Sequence, residues 1–102
     1  METMQPTETQ VSAAQHYLEH EFPGQVQRTW WYEDVMAQVF EVQGEIQRHI
    51  VVDCGFFQDC QNCAVALKES ELAEYIREAL SPQCFIVRWN DDEVWVRSKR
   101  LS

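Results

Sequence analysis

Residues 36–53 read M-A-Q-V-F-E-V-Q-G-E-I-Q-R-H-I-V-V-D, which is two alternating runs of apolar and polar residues around one glycine, Gly44. Alternation with a period of two is typical of a β-strand that has one buried face and one wet face. With residues 42–44 as the loop, Phe40 lies opposite Ile46, and glycine at the last loop position adopts the left-handed conformation at least cost. The segment therefore predicts an antiparallel hairpin. Its second face would carry mostly polar side chains: Glu41, Gln47, His49 and Asp53.

Helical and strand patterns flank this hairpin on both sides. The predicted elements are, in chain order, a helix from about Thr9 to Glu21, a strand from Gln25 to Tyr32, the hairpin, a helix from about Ser70 to Leu80, and a last hairpin of Cys84 to Trp89 and Glu93 to Lys99. Thr7 and Gln10 fit a capping box for the first helix, and Thr9 is an equally good cap. Residues 54–57 either extend the preceding strand or leave it, and residues 64–67 form a fourth strand or lead into the second helix.

The element order predicts an α+β fold. We expect a single domain with a twisted antiparallel sheet of about five strands and two helices on one face, in the order α-β-β-β-α-β-β. A chain of 102 residues suits one domain, and its 45% hydrophobic content is ordinary for a globular protein. Residues 1–8 are expected to be flexible and residues 9–102 to form the domain.

The charge of the chain limits its partners. Seventeen acidic and eight basic side chains give a net charge of −9, which argues against nucleic acid and against anionic membrane surfaces, because both require a cationic face. The charge permits plain solubility, a basic protein partner, or imitation of a polyanion. The sequence has no apolar run of about 20 residues and no secretory pattern at its start, so we expect a cytoplasmic protein with reduced cysteines.

Four cysteines form the one group with metal-ligand spacing: Cys54, Cys60, Cys63 and Cys84. A C-x2-C turn at Cys60 and Cys63 can direct two thiolates at one zinc ion, with Cys54 as a third ligand and Cys84 or His49 as a fourth. A second C-x2-C pair is missing, so the prediction is no cofactor, with the cysteines as core residues and loop thiols. A zinc site and a redox pair remain the alternatives.

Catalytic patterns are weak. His16 and His20 share a helix face but lack the H-E-x-x-H sequence, and the acidic pairs, such as Glu33-Asp34, fall at turns or on polar helix faces. Two-carboxylate catalysis needs a cleft and a raised pKa on one partner, which a turn does not supply. We therefore predict that the protein is not an enzyme.

The tryptophans carry the functional hypothesis. Trp30 and Trp31 are consecutive in a predicted strand and must point to opposite faces of the sheet, so a single layer of helices covers only one of them. Trp89 and Trp95 present the same problem in the last hairpin. Aromatic side chains exposed within an acidic surround are typical of a protein-binding surface. The alternative is that the rings lie flat on the sheet beneath arginine stems.

The predicted function is a non-catalytic protein-interaction module: an adaptor, a chaperone-like protein or a regulator that binds a protein partner or a second copy of itself. The predicted binding residues are Trp31, Arg88 and Trp95, with acids at the rim, although which tryptophan of each pair faces outward stays open. The alternatives are a small zinc protein that uses the four cysteines and an acidic polyanion mimic that inhibits a nucleic-acid-binding protein.

The element order, low pI and size resemble those of the small acidic chaperones of bacterial type III secretion and of related sensory-regulator folds. The resemblance covers topology, and this chain lacks the third helix that those chaperones usually use to dimerise. The helix–three strands–helix order also resembles double-stranded RNA-binding domains, but the second helix carries Glu71, Glu74 and Glu78 where those domains are basic.

Overall fold

The computed structural model describes residues 5–59, 62–79, 84–90 and 93–99, apart from the side chains of residues 59, 89, 90 and 93–99. The described elements are α1 (Glu8–Glu21), β1 (Val26–Tyr32), a 3-10 turn (Glu33–Val35), β2 (Ala37–Gln43), β3 (Gln47–Asp53), α2 (Cys54–Asp59), α3 (Cys63–Glu69), α4 (Leu72–Glu78), β4 (Cys84–Asn90) and β5 (Glu93–Lys99). None of the helices in these ranges is long and apolar enough to cross a membrane.

The predicted α+β class is confirmed. One five-stranded sheet runs in the order β1-β2-β3-β4-β5, and the helices pack on one of its faces around a common apolar core. The sheet is not wholly antiparallel as predicted, because β3 and β4 pair in parallel. The chain passes through α2, α3 and α4 between these two strands, and a crossover of this kind returns the chain in the same direction.

The central hairpin is confirmed, but its predicted register is wrong. Phe40 pairs with Ile50 rather than Ile46, and residues 44–46 form the loop. The longer strands place two fully buried side chains, Phe40 and Ile50, opposite each other. They also let the Gln43 N–H donate to the Gln25 carbonyl at 2.7 Å. Because the shift is even, every side chain keeps its predicted face.

Gly44 does not have the left-handed conformation predicted for it. It begins the loop, where a Cβ would lie 3.1 Å from Oε1 of Gln25. The glycine therefore permits close approach of a neighbouring side chain.

The helical part of the chain is larger than predicted. Instead of two helices, the described residues contain four α-helices. Residues 64–67 belong to α3, which begins after Asn62, whose Oδ1 accepts a hydrogen bond from the Val65 N–H at 3.1 Å. Glu71, with φ of 58°, separates α3 from α4 by a left-handed turn. Short apolar runs do not distinguish a strand from a helix, which is why the pattern left this segment open.

Helix α1 is capped at its N-terminus and is hydrogen-bonded to α4 through Tyr17. The predicted capping box between Thr7 and Gln10 is confirmed, and the phenol oxygen of Tyr17 accepts a hydrogen bond from the Ala73 N–H in the first turn of α4 at 3.0 Å. Within the described residues, α4 has no side-chain cap from its own N-cap residue, Glu71, so Tyr17 supplies an acceptor from another helix. Burial raises the pKa of Tyr17, since it penalises the phenolate.

Substitution of Tyr17 with phenylalanine should lower the free energy of unfolding by about 1–3 kcal/mol, because the buried Ala73 N–H loses its acceptor. Urea unfolding measures this change. Tyr32→Phe is the matched control, since that side chain is 45% exposed, and it should leave the urea midpoint nearly unchanged. Equal midpoints for the two variants would show that the Tyr17–Ala73 bond adds nothing to stability.

Candidate functional site

A bulge in β1 decides which side chains share a face. Val26 pairs with Val42 and Arg28 with Glu41, so the register shifts between Val26 and Arg28 and one extra residue, Gln27, is accommodated. Alternation with a period of two along residues 25–32 predicts Val26 on the same side as Arg28, and the bulge makes that prediction wrong. Val26 packs against the core beneath the helices, whereas Arg28 lies on the opposite face.

We call the face of the sheet that is turned away from the helices the open face. Trp30 lies on the open face, where it meets the ring of His49 edge-on with centroids 5.9 Å apart. Trp31 lies on the helix side, opposite Gln38 in the ladder. Both indoles are half-buried. The predicted split of the two tryptophans between opposite faces is therefore present, and Trp30 is the one that faces away from the helices.

Three polar side chains lie around Trp30 on the open face: Arg28, Glu41 and His49. Arg28 Nε donates to Glu41 Oε2 at 2.9 Å, and the Arg28 guanidinium carbon lies 4.9 Å from the Trp30 ring centroid. His49 Nε2 is 3.7 Å from the same carboxylate oxygen. The hydrogen bond from Arg28 holds the pKa of Glu41 below its usual value, with smaller contributions from Gln47 and from His49. The four side chains form one ion-paired and stacked cluster.

The pKa of Glu41 predicts a pH dependence of stability. The folded-state pKa is lower than the ordinary value of 4.5, so this contribution is fully present above about pH 4.5 and is lost as the pH falls through the lowered pKa. In urea unfolding between about pH 6 and about pH 3, the difference in stability between wild type and Glu41→Gln should shrink towards acid. The exposed Glu69→Gln is the control. Parallel wild-type and Glu41→Gln curves would contradict the prediction.

The open face is partly covered by its own side chains. Val39 is 3% exposed and Ala37 is 1% exposed, although both alternate with the core-facing residues of β2 and neither belongs to the main core. Trp30 and Tyr32 lie opposite Val39 and Ala37 in the ladder. The alternative interpretation of the sequence, in which rings lie on the sheet beneath an arginine, thus describes Trp30 and Arg28.

The end of β1 has a different character. Five consecutive residues line a shallow depression of about 300 Å³: Trp30, Trp31, Tyr32, Glu33 and Asp34. We call these five residues the β1 edge site, because β1 is the first strand of the sheet. Tyr32 is 45% exposed, and the adjoining Val35 is 52% exposed. The site therefore combines exposed aromatic surface with two carboxylates.

A strained residue shapes this end of the strand. Met36 has φ of 53°, an uncommon left-handed conformation for a residue other than glycine. Its N–H donates to the Glu33 carbonyl at 3.1 Å, and its carbonyl accepts from the Cys54 N–H at 3.0 Å. The left-handed turn folds the chain back into β2 and leaves Glu33, Asp34 and Val35 exposed at the tip.

The structure does not bring the predicted binding residues together. Trp31 belongs to the β1 edge site, but Arg88 is exposed on β4, three strands away, or about 14 Å at about 4.8 Å per strand. Arg88 also lies on the open face, whereas Trp31 lies on the helix side. Trp95 pairs with Arg88 in the backbone register, and its side chain is outside the described residues. The sequence held a signal for the other members of the β1 edge site, because residues 30–34 read W-W-Y-E-D, three aromatic residues followed by two acids.

The cysteines are also spread out. Cys54 begins α2, Cys63 begins α3 and Cys84 pairs with His49, while Cys60 lies outside the described residues. His49 precedes Cys54 by five residues, so Cys84 and Cys54 are about 16 Å apart along β3 at about 3.3 Å per residue. In the described part of the chain, no group of three or more His, Cys, Asp or Glu residues is placed to hold a metal ion. A zinc site that includes Cys60 stays an untested alternative.

Comparisons of the chain with protein-family models, with curated proteins and with solved structures find no match. The function must therefore be inferred from the geometry and chemistry of the surface itself.

Proposed function

We propose that this protein is a non-catalytic protein-interaction module that binds an extended, basic segment of another protein along the free edge of β1. One observation carries the proposal: the edge strand ends in three aromatic residues, each at least partly exposed, that lead directly into two exposed acids.

The first support is the position of β1. Among the described residues, β1 pairs with β2 alone, so its other edge presents backbone N–H and C=O groups that no strand satisfies. An extended segment of a partner can add to such an edge as a further strand, with main-chain hydrogen bonds supplying affinity. The site needs no large rearrangement for this, because the template strand is already formed.

The second support is the placement of the aromatic rings. Trp30 lies on one side of the sheet and Trp31 on the other, so an added strand would meet an indole on each of its two faces. Tyr32 and Trp30 share a side, and Tyr32 is the more exposed of the two. Tryptophan and tyrosine are the side chains that most often dominate the energy of protein interfaces. The rings would give specificity for the alternate side chains of the segment.

The third support is charge. Glu33 and Asp34 are exposed at the end of the strand, and the whole chain carries a net charge of −9. Both favour a segment that contains lysine or arginine, and the net charge opposes pairing with a second copy of the same chain. We therefore propose a different, basic protein rather than a homodimer as the occupant.

The pKa shifts of Tyr17 and Glu41 have structural causes, which fits a non-catalytic role. Burial between helices accounts for Tyr17, and the ion pair with Arg28 accounts for Glu41. Neither group lines the β1 edge site. Catalytic sites usually place a perturbed group in a cleft, where it can meet a substrate.

Selection from a random peptide library tests the proposal without a known partner. At low ionic strength, we expect enrichment of segments that alternate apolar residues with lysine or arginine, and their binding should weaken as salt is added. Enriched peptides should compete strongly with one another for binding, because all of them would occupy the free edge of β1. Enrichment of acidic sequences, or none, would overturn the proposal.

A further inference from the structure

A second depression lies at the other end of β1, between the end of α1, the 44–46 loop and α4. Its volume is about 370 Å³. The lining joins two arginines and two glutamates to an apolar wall and small polar groups: Arg48, Arg77, Glu21, Glu45, Phe22, Pro23, Gln25 and Gly44. Two of the eight basic side chains of a strongly acidic protein thus line one small space.

Arg48 is the unusual member. It lies on the core side of β3, opposite Val42, which is almost fully buried. Within the part of the chain that the structure describes, its buried Nε has no hydrogen-bond partner, and its Nη2 makes a long 3.4 Å hydrogen bond to the Ala79 carbonyl. Arg48 takes part in none of the ion pairs found among the described residues. A partly buried guanidinium without an anion is costly, so this position favours an anionic partner.

Arg77 approaches the same depression from α4. Its Nη2 donates to the Glu21 carbonyl at 2.8 Å and lies 3.5 Å from Glu21 Oε2. Its guanidinium carbon is 5.0 Å from the centroid of the Phe22 ring. These contacts hold the planar group beside the apolar wall and leave much of it exposed, with donors available for a ligand.

We propose that this depression binds a small zwitterion of the α-amino-acid class. The carboxylate would be held by Arg48 and Arg77, because guanidinium groups match a carboxylate in charge and planar geometry. The ammonium would lie towards Glu45 or Glu21, and an apolar side chain would lie against Phe22 and Pro23. The two glutamates disfavour inorganic phosphate and other multiply charged anions, and the volume suits a ligand of this size.

This depression shares no lining residue with the β1 edge site. Gln25 lies just before β1 at one end, and the Glu33-Asp34 pair follows its other end. At about 3.3 Å per residue, Gln25 is about 16 Å from Trp30, the nearest residue of the β1 edge site along the strand. Failure of one proposal therefore leaves the other standing, and each is tested with its own ligand.

Nitrogen-15 NMR titration of the full chain tests the inference. The probes are L-leucine, L-phenylalanine and L-methionine, compared with 4-methylpentanoate, which lacks the ammonium of leucine, with leucinamide, which lacks the carboxylate, and with inorganic phosphate. We expect at least one amino acid to bind saturably with a Kd of about 1 mM or tighter, shifting the amides of Gln25, Gly44 and Arg48. The leucine analogues should bind at least about tenfold more weakly than leucine if leucine is the ligand, and phosphate should not saturate.

Two variants connect the binding to the arginines. Arg48→Gln and Arg77→Gln should each weaken amino-acid binding by about tenfold or more. Arg77 is exposed, so its substitution keeps the test valid even if Arg48→Gln fails to fold. Lys68→Gln, an exposed change on α3, should bind as wild type does. Absence of saturable binding by all three amino acids, equal binding by phosphate, or unchanged affinity in Arg77→Gln would each overturn the inference.

Discussion

Replacement of Glu33 and Asp34 with lysine is expected to weaken the binding of a basic segment by at least about tenfold. Exposed charge pairs each contribute about 0.2–1 kcal/mol, and reversal converts two attractions into two repulsions, so the total is about 0.8–4 kcal/mol. The middle of that range exceeds the roughly 1.4 kcal/mol that corresponds to tenfold. Both side chains are exposed in the 3-10 turn. The free energy of unfolding should therefore change little, which circular dichroism with urea unfolding measures.

The matched control for this variant carries the same charge change elsewhere. Glu74→Lys with Glu78→Lys alters two exposed positions on α4 and should keep most of the affinity. Isothermal titration with an enriched peptide compares the two double variants at two salt concentrations. Similar losses in both would mean that net charge alone drives binding, and no loss in either would remove Glu33 and Asp34 from the site.

Replacement of Phe40 with alanine should lower the free energy of unfolding by about 3–5 kcal/mol. Phe40 is fully buried on β2, opposite Ile50 and within the main core. Domains of this kind are stable by about 5–15 kcal/mol in total, so this change removes a large share. Urea unfolding gives the value directly.

Trp31→Ala provides the contrast to Phe40→Ala. Trp31 is only half-buried at the sheet edge, so its loss should cost less stability but should weaken peptide binding by about tenfold or more. A large loss of stability in Trp31→Ala, with unchanged binding, would identify this tryptophan as a core residue and would contradict its place in the β1 edge site.

Local alternation was sufficient to predict the central hairpin and the faces of its side chains. The period of two placed Phe40 and Ile50 on one face and Glu41 and His49 on the other, and the structure keeps that division. The position of the loop was missed because a shift by an even number of residues preserves the pattern. The bulge at Gln27 was missed because most residues around it are polar, so one inserted residue does not visibly interrupt the alternation of apolar and polar side chains.

The segment between β3 and β4 was harder to predict. Residues 54–69 consist of short apolar runs, and helices of six or seven residues form there mainly because α2 packs on β3 and β4 and α3 packs on α1. The left-handed Glu71 that divides α3 from α4 follows no glycine or proline pattern. Tertiary packing, rather than local preference, decides these boundaries.

The candidate site was predicted only in part. Consecutive tryptophans must face opposite ways, which the sequence alone establishes. The order of strands in the sheet does not follow from that pattern, so the edge position of β1 could not be known. Arg88 and Trp95 were grouped with Trp31 on side-chain type, and the three-strand distance from β1 to β4 separates them.

Amide hydrogen exchange of the protein with and without an enriched basic peptide tests the central claim most directly. If the peptide adds as a strand to β1, alternate amides within Val26–Tyr32 will exchange more slowly in the complex, because their outward N–H groups gain acceptors. Helices α1 and α4 should show no comparable change. Protection confined to β5 or to the helices, with β1 unaltered, would contradict the account.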